Sequence, residues 1–273
     1  MFKALLESAG TFIKIVDALA TIIDVATFNV SEAGLSVKAM DPSHVAMVNL
    51  ELPPKAFTEF KCDKSIPIRI NLTDLNRFMK RGSAGDSLEL SLDQKSNKLK
   101  LRFKRPKSTR TFSLGLLSED EEEEIPSPKL DFNAKFSLRT NDLHRAIKDA
   151  QIVGDYINFT ISDDTLTLDA SGDSGDVTIE VEELTELSIK GKQSSIYSLE
   201  YLADIIKASS VSENVSVEFS TEMPVKFEFP IIEQEAEGKI TYLLAPRVEE
   251  EEEDYEEIGE EETEFEESID EEK

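Results

Sequence analysis

The chain has 273 residues, 39% of them hydrophobic, and a formal net charge of −27, so it is long enough for two domains with cores of their own. Its longest apolar run, near Ala18–Ile23, is far shorter than the ~20 residues of a membrane span. One cysteine and two histidines exclude a disulfide framework and leave too few ligands for a zinc site. We therefore expect an intracellular protein with no membrane association, no metal and no cofactor.

The negative charge is concentrated in two segments. Residues 249–273 contain 17 acidic residues and one lysine, and six consecutive acidic residues stand at Glu119–Glu124. The rest of the chain is only moderately acidic, so its composition leaves room for a locally basic surface. We interpret residues 249–273 as an acidic disordered tail, because like charges repel and little apolar surface is available for burial.

The first half of the chain alternates helical and strand patterns. Apolar spacing predicts a helix from about Ser8 to Ile23, with Lys14 off its apolar stripe. A second helix is predicted to begin with Thr73 as its N-cap and to end at Gly82. Alternating apolar residues predict antiparallel strands at Ala26–Val30, Gly34–Ala39, Val45–Leu50, Ser87–Leu92, Leu99–Phe103 and Thr111–Leu117.

The second half repeats the first. An offset of 131 residues aligns the apolar positions of Phe28–Leu35 with those of Phe159–Leu166, and a nearby offset of 127 aligns Leu72–Lys80 with Leu199–Lys207. Two more helices are predicted, at Thr140–Val153 and Ser198–Ala208. The fold class is therefore α+β, with duplicated domains at 1–117 and 132–248 joined by an exposed, acidic, proline-punctuated linker at 118–131.

The polar faces of these four helices are the first candidate functional surface. They carry acidic residues such as Asp17, Asp74 and Asp204, together with seven basic residues: Lys14, Arg77, Lys80, Arg81, Arg145, Lys148 and Lys207. Two interpretations are open at this point. In the first, the charges are scattered and solvated. In the second, the basic side chains form a surface that contacts nucleic-acid phosphates without recognising the nucleotide sequence.

Catalytic motifs are not found in the sequence. No glycine-rich loop is followed by Lys and Ser or Thr, so no nucleotide-binding P-loop is predicted. Cys62 is far in sequence from either histidine, and we interpret it as a buried structural thiol. The SGDSGD segment at 171–176 lacks the ligand spacing of a calcium loop and predicts a hairpin turn. We expect no enzymatic activity.

Four motifs carry a resemblance to a known family. They are MDPSHV at 40–45, FKCDK followed by NLTDLNRFMK within 60–80, EMPVKFEF at 222–229 and YLLAPRVEE at 242–250. In their order and spacing the chain resembles, over residues 1–250, the DNA sliding clamps of archaea and eukaryotes, the proliferating cell nuclear antigen family. The resemblance implies a ring of three subunits with helices lining the hole and antiparallel sheets outside. It would act in the cytoplasm or nucleoid of an archaeon or in a eukaryotic nucleus.

The resemblance also implies a function and its surfaces. The ring is a non-enzymatic processivity factor that encircles double-stranded DNA, faces it with the seven helix bases, and tethers DNA polymerase, clamp loader, flap endonuclease and DNA ligase through short peptide motifs. The implied peptide pocket comprises Met40, His44, Val45, Ile125, Pro126, Leu130, Pro224, Leu243, Ala245, Pro246 and Val248. The implied subunit contact pairs two edge strands and includes Thr109, Arg110, Thr111, Phe112, Val177, Ile179 and Val181.

Several alternatives remain open from the sequence. Bases from Lys98 to Arg110 face acids at Glu180, Glu182 and Glu183 across the implied subunit contact, but they are also compatible with a solvated outer sheet face. An acidic-tailed chaperone or DNA mimic that binds basic partners is the alternative function. A metal-dependent hydrolase would require carboxylates to meet across the fold. The sequence leaves undecided whether the ring is a homotrimer or is mixed with related chains.

Overall fold

The structure, a computed structural model, describes residues 1–118, 125, 128–233 and 236–247, except for the side chains of residues 233, 236 and 237. The first domain contains β1 (Phe2–Leu6), α1 (Gly10–Leu19), β2 (Val25–Ser31), β3 (Gly34–Met40), β4 (Ala46–Leu52), β5 (Glu59–Cys62), β6 (Ile66–Asn71), α2 (Leu72–Met79), β7 (Ser87–Asp93), β8 (Lys98–Arg105) and β9 (Ser108–Gly115). A short 3-10 helix, Pro54–Ala56, follows β4.

The second domain repeats this order of elements. It contains β10 (Ala134–Arg139), α3 (Thr140–Ala150), β11 (Tyr156–Ser162), β12 (Thr165–Gly172), β13 (Gly175–Val181), β14 (Thr185–Ile189), β15 (Gln193–Ser198), α4 (Leu199–Ile205), β16 (Asn214–Phe219), β17 (Val225–Glu233) and β18 (Ala236–Leu244). A 3-10 helix, Ile206–Ser210, extends α4. The duplication predicted from the sequence is therefore present in the fold.

The strands form three antiparallel sheets. One has the order β5-β1-β7-β8-β9, a second has the order β13-β12-β11-β15, and a nine-stranded sheet has the order β14-β10-β16-β17-β18-β4-β3-β2-β6. Within the nine-stranded sheet, β18 of the second domain pairs with β4 of the first. The domains are thus joined by continuous backbone hydrogen bonding.

Alternation of apolar and polar residues places one face of each sheet in the core. In β3, Leu35, Val37 and Ala39 are buried while the intervening residues are more exposed. The core of the second domain is rich in aromatic rings, with Phe159 making edge contacts to Tyr197 and Phe219. Outward-facing side chains such as Lys38 lie on the opposite surface, where Lys38 donates to the carbonyl of the linker residue Ile125.

The four α-helices of the described residues lie on the core side of the sheets as one layer. Their apolar stripes are buried, with Phe12, Ile15 and Leu19 completely or almost completely inaccessible in α1. α1 packs against α2 and also against the 3-10 helix at 206–210 of the other domain. The Thr21 hydroxyl donates to the Asp204 carbonyl at 3.3 Å, so the layer continues across the domain boundary.

Several local expectations need correction. The N-cap of α2 is Asn71 and not Thr73, because the Asn71 side chain accepts from the Asp74 amide at 2.9 Å. Cys62 is half-buried and not fully buried; its thiol contacts the Lys64 carbonyl at 2.9 Å. Three strands of the first domain, β1, β5 and β6, were not predicted. The 171–176 segment is the predicted hairpin turn, with Gly172 paired to Gly175.

Candidate functional site

The junction between the domains is built from β18 and β4. The register pairs Tyr242 with Val48 and Ile240 with Leu50, and all four of these side chains are completely buried on the core side. On the opposite side, Leu243 pairs with Met47 and both are partly exposed. Apolar side chains therefore meet on the outer surface of the junction as well as in the core.

That outer surface contains an apolar cavity of about 170 Å³. Its lining residues come from the end of β3, the β3–β4 loop, the start of β4, the linker, the loop before β17 and the end of β18: Met40, His44, Val45, Met47, Pro128, Leu130, Pro224, Leu243 and Ala245. An apolar concavity of this kind accommodates the apolar or aromatic anchors of a bound peptide. We call it the junction pocket.

The structure brings together seven of the eleven residues that the resemblance assigned to this pocket: Met40, His44, Val45, Leu130, Pro224, Leu243 and Ala245. Ile125 does not line the cavity, and its carbonyl accepts from the Lys38 ammonium at 2.7 Å. Pro246 is half-buried beside the cavity without lining it. Pro126 and Val248 lie outside the described residues.

Met47 and Pro128 line the junction pocket but were absent from the sequence-based set. A signal for Met47 was available, because it lies two positions after Val45 and strand side chains two apart share a face. Pro128 had no comparable signal, since the linker contains no periodic pattern. The missed residues extend the apolar surface toward the linker.

One wall of the junction pocket is held by the Asp41 carboxylate. It accepts from the amides of Ser43, Val45 and Ala46 at 3.0, 2.7 and 2.6 Å and from the Tyr201 hydroxyl at 2.8 Å. Burial acts to raise the pKa of Asp41, but these four hydrogen bonds outweigh it and hold the pKa below its usual value. This loop is tight enough that His44 adopts a left-handed conformation, φ +59°.

The seven basic residues predicted on the helices are all exposed on the helical layer. Three of them are paired with acids: Lys80 with Asp17 at 2.7 Å, Arg77 with Asp74 at 2.9 Å, and Lys207 with Asp204 at 2.6 Å. The other four make no ion pair with a described residue: Lys14, Arg81, Arg145 and Lys148. The layer is therefore less basic than a count of its lysines and arginines indicates.

The pKa values of two groups on this layer, Asp17 and His144, are shifted by their surroundings. Although partial burial acts in the opposite direction, hydrogen bonds from Lys80 and Asn76 keep the pKa of Asp17 below its ordinary value. His144, on α3, has a pKa lowered by partial burial and by the charge of Lys148, so it adds no positive charge at neutral pH. The side chains available to bind an anion are therefore the four that make no ion pair with a described residue, Lys14, Arg81, Arg145 and Lys148.

The residues assigned to the subunit contact lie on two free sheet edges. β9 is the last strand of the five-stranded sheet and β13 is the first of the four-stranded sheet. Thr109 and Thr111 are exposed, while Arg110, Phe112, Val177, Ile179 and Val181 are half-buried. Arg110 donates to buried Asp86 at 2.7 Å and to the Arg81 carbonyl at 2.6 Å. Apolar side chains on an unpaired edge favour association with another strand.

Comparison with known proteins identifies the family. The N-terminal domain of proliferating cell nuclear antigen matches residues 1–124, and the C-terminal domain of the same family matches residues 126–247. The chain belongs to the proliferating cell nuclear antigen family. It is 36% identical to a protein named DNA polymerase sliding clamp in Thermococcus gammatolerans and 35% identical to proteins of that name in Pyrococcus horikoshii and Pyrococcus furiosus. Each alignment covers 91% of this chain and 99% of the relative.

In this proliferating cell nuclear antigen family chain, the free edges and the closed junction are built from equivalent strands. β9 occupies in the first domain the place of β18 in the second, and β13 occupies in the second the place of β4 in the first. β18 and β4 pair with each other, whereas β9 and β13 each have a neighbouring strand on one side only within the described chain. The fold thus contains one completed junction and two free edges built from the equivalent strands.

Two further observations concern alternative functions. The described residues contain no group of three or more His, Cys, Asp or Glu side chains positioned to hold a metal ion. Within the same residues, no helix is long and apolar enough to cross a membrane. The carboxylates Asp163 and Asp164 stand in the turn between β11 and β12.

Proposed function

We propose that this chain is the subunit of a homotrimeric DNA sliding clamp. Three copies join head to tail, β9 of one with β13 of the next, and close a ring around double-stranded DNA. The observation that carries the proposal is the pairing of β18 with β4 inside the chain while the equivalent strands β9 and β13 are left as free edges. The names of the archaeal relatives, DNA polymerase sliding clamps, support the same function.

The register of β18 with β4 in the closed junction predicts the register of β9 with β13 of the next subunit. Sheet pairings make Phe112 the equivalent of Tyr242 and Val177 the equivalent of Val48. Because Tyr242 pairs with Val48, Phe112 should stand opposite Val177 of the next subunit. The same relation places Arg110 opposite Ile179, and Thr111 opposite Thr178. The combined sheet, β5-β1-β7-β8-β9-β13-β12-β11-β15, would have nine strands like the sheet within the chain.

The helical layer would face the DNA. All seven candidate bases are exposed on it, four of them without an ion-pair partner among the described residues, and a trimer would present twelve such unpaired bases. Exposed lysine and arginine side chains attract phosphates without sequence preference, and salt screens the attraction. A ring held on DNA by its topology needs only weak contacts of this kind, and weak contacts permit sliding.

The junction pocket would bind client enzymes. Its nine lining residues offer an apolar cavity on the outer surface, bordered by the linker, where an apolar anchor from a short peptide is shielded from water. We propose that DNA polymerase, clamp loader, flap endonuclease and DNA ligase bind here through terminal peptide motifs. With no cofactor to bind and no reaction to catalyse, the clamp would contribute attachment to DNA.

A disulfide between subunits tests the ring and its register together. In a Cys62→Ser background, Thr111→Cys with Thr178→Cys should form a bond between neighbouring subunits, because paired residues on adjacent strands lie within disulfide reach. Denaturing gels should then show a covalent trimer. Thr109→Cys with Asp176→Cys is the control, since the derived register separates these positions by four residues, about 13 Å.

The mass of the native protein provides the second measurement. Light scattering after size exclusion should give about 92 kDa, three times the 30.6 kDa of the chain. A monomer that forms no disulfide in the matched pair would contradict the proposed ring. A trimer that crosslinks in the control pair and not in the matched pair would keep the ring and reject the register.

A further inference from the structure

The outer face of the sheet β5-β1-β7-β8-β9 is basic in an otherwise acidic chain. Its outward side chains include three acids, Glu59, Glu89 and Asp93, and six bases: Lys3, Lys61, Lys98, Lys100, Arg102 and Lys104. All three acids are already engaged, each by one or two of these bases, at distances of 2.7–3.3 Å. We call this surface the basic outer face. It has an excess of three positive charges.

Strand β8 contributes most of that excess. Lys98, Lys100, Arg102 and Lys104 alternate along it and point outward, while Leu99, Leu101 and Phe103 are buried between them. Lys100, Arg102 and Lys104 keep 40–45% of their side-chain surface exposed although each is ion-paired. Lys98 is exposed and makes no ion pair with a described residue. An anionic segment lying along β8 would therefore meet four bases in a row.

The C-terminal segment leaves the fold at a place that is equivalent to the start of the linker. The Leu117 amide donates to the Arg69 carbonyl of β6 at 2.9 Å, and the Arg247 amide donates to the Ile196 carbonyl of β15 at 2.8 Å. β6 and β15 are equivalent edge strands of the two domains. Both acidic segments thus begin from the same kind of sheet edge.

The described linker residues show which surface the chain contacts after it leaves the edge strand β6. Its Ile125 carbonyl lies on Lys38 of β3, and its Pro128 and Leu130 reach the junction pocket beside β4 and β18. The linker therefore crosses the outer surface of its sheet from β6 toward the closed junction. An equivalent path for residues 248–273 would start at β15 and lead toward the edge strand β13.

Beyond β13, in the ring proposed above, come β9 and β8 of the next subunit. We propose that the acidic segment 248–273 of one subunit binds the basic outer face of its neighbour, along β8. This inference rests on the proposed ring. The segment contains 17 acidic residues and one lysine, so its charge is opposite to that of the face.

The segment is long enough for this path. β15 and β8 would be separated by five inter-strand spacings, about 24 Å at roughly 4.8 Å each, whereas 26 extended residues span up to about 85 Å. Strands β11, β12, β13 and β15 contain no lysine or arginine and carry outward acids such as Asp169, Asp176 and Glu180, so no base on the surface crossed would hold the segment before β8. With the basic outer face occupied, the helical layer remains the accessible basic surface of the ring.

Zero-length carbodiimide crosslinking of the full-length protein tests the contact. The reagent joins a carboxylate to an amine only when the two are in ion-pair contact, and mass spectrometry then identifies the pair. We expect acids of 249–273 to be joined to Lys98, Lys100 and Lys104 at least five times more often than to Lys239. Lys239 is the matched control, because it is 40% exposed like Lys104 and is likewise paired with a sheet glutamate.

Salt and isotope labelling refine the result. The crosslinks should fall at least fivefold in 0.5 M NaCl, where screening weakens exposed ion pairs, and mixing labelled with unlabelled subunits should show them between subunits. Equal crosslinking to Lys239 and to β8, or no crosslinking to β8, would overturn the proposal.

A binding measurement on the truncated protein provides an independent check. A fluorescent peptide of residues 248–273 is titrated onto a chain ending at Arg247. Lys98→Gln with Lys100→Gln should weaken binding at least fivefold, and Lys226→Gln with Lys239→Gln less than twofold. Equal effects of the two double variants would overturn the proposal. Light scattering of the same samples distinguishes the failures: a trimer without contact rejects the tail site alone, whereas a monomer rejects the ring.

Discussion

The closed junction and the open edges of this chain use the same strands in two different situations. In the closed junction, Tyr242 and Val48 are completely buried because each strand covers the other. In the open edges their equivalents Phe112 and Val177 are only half-buried. The side chains are of the same apolar kind in both places. The difference teaches that the edge residues have the composition of a sheet interior and lack only the neighbouring strand.

The outer surfaces of the two junctions differ in chemistry. Leu243 and Met47 meet above the closed junction and line the junction pocket. The equivalent positions at the open edges are Ser113 and Asp176, which are exposed and polar. A ring with six sheet junctions would therefore contain only three junction pockets. In the proposed ring, duplication of the domain would have preserved the pairing of strands without preserving the peptide site.

The largest expected effect comes from placing the same charge in each junction. Leu50→Asp puts an unpaired carboxylate in the completely buried closed junction and should cost more than about 4 kcal/mol, leaving the chain unfolded. Ile179→Asp, at the equivalent position of the open edge, should leave a folded monomer. Circular dichroism and light scattering measure the two outcomes. A trimer formed by Ile179→Asp would contradict the proposed use of β13.

The second prediction contrasts the outer surfaces. Leu243→Asp should weaken binding of a polymerase-derived peptide about 100-fold, equivalent to about 2.7 kcal/mol, because the carboxylate would be desolvated against the apolar anchor. Ser113→Asp is the matched control at the open edge and should leave peptide affinity unchanged. Calorimetry should also give three peptides per trimer. Six peptides per trimer would show that the two kinds of junction are equivalent for binding.

The third prediction concerns the buried carboxylate that supports β9. Asp86 has no exposed side-chain surface and holds Arg105 and Arg110. Hydrogen bonding from Arg105 outweighs the effect of burial and lowers the pKa of Asp86. Asp86→Asn should cost about 2 kcal/mol in the free energy of unfolding, because two guanidinium groups lose a charged partner. The Arg110 side chain on the open edge would then be less fixed.

The pH dependence of Asp86 follows from the direction of its shift. A carboxylate whose pKa is lowered on folding contributes stability above the ordinary value of 3.8, and loses it as the pH falls through the lower folded pKa. Wild type and Asp86→Asn should therefore differ in stability at pH 7 and converge below the folded pKa. Urea unfolding at pH 7 and at steps below pH 4 measures this. A constant difference at all pH values would remove Asp86 ionisation as the cause.

The smallest effect is expected on the helical layer, where paired and unpaired bases can be compared. Arg145→Gln with Lys148→Gln removes unpaired charge and should reduce retention of loaded clamps on DNA two- to fivefold at low salt. Lys80→Gln with Lys207→Gln removes bases already paired with Asp17 and Asp204 and should have less effect. Peptide affinity serves as the control for both. Equal losses from the two pairs would show that the ion pairs open when DNA is present.

The sequence predicted those parts of the fold that depend on local pattern. The four helices were predicted because their apolar stripes repeat at helical spacing, and residues such as Leu143 and Leu202 are fully buried in the structure. β1 and β5 were not predicted, because FKALL and EFKC are short and become strands only by pairing with each other and with β7. The N-cap was misplaced by two residues because both Asn71 and Thr73 are cap-forming types.

Prediction of the candidate sites depended less on local sequence pattern. The junction pocket came from the resemblance, since no periodicity brings Val45, Leu130 and Leu243 together; only the pairing of β18 with β4 does so. The ion pair of Lys80 with Asp17 joins residues of different helices and has no signature in the sequence of either one. The basic character of β8 was visible in the sequence. Its position relative to β15, where the described chain ends at Arg247, could be derived only from the sheet order.

The hydrogen bond from Tyr201 to Asp41 fastens a loop of the first domain to a helix of the second. Asp41 shapes a wall of the junction pocket, and Tyr201 belongs to α4 in the helical layer. In the proposed clamp, a client peptide that reshapes the loop would alter this bond, and a perturbation of α4 would reach the loop through the same bond. Linkage makes any such coupling reciprocal: the free energy by which one occupied surface changes affinity at the other is equal in both directions.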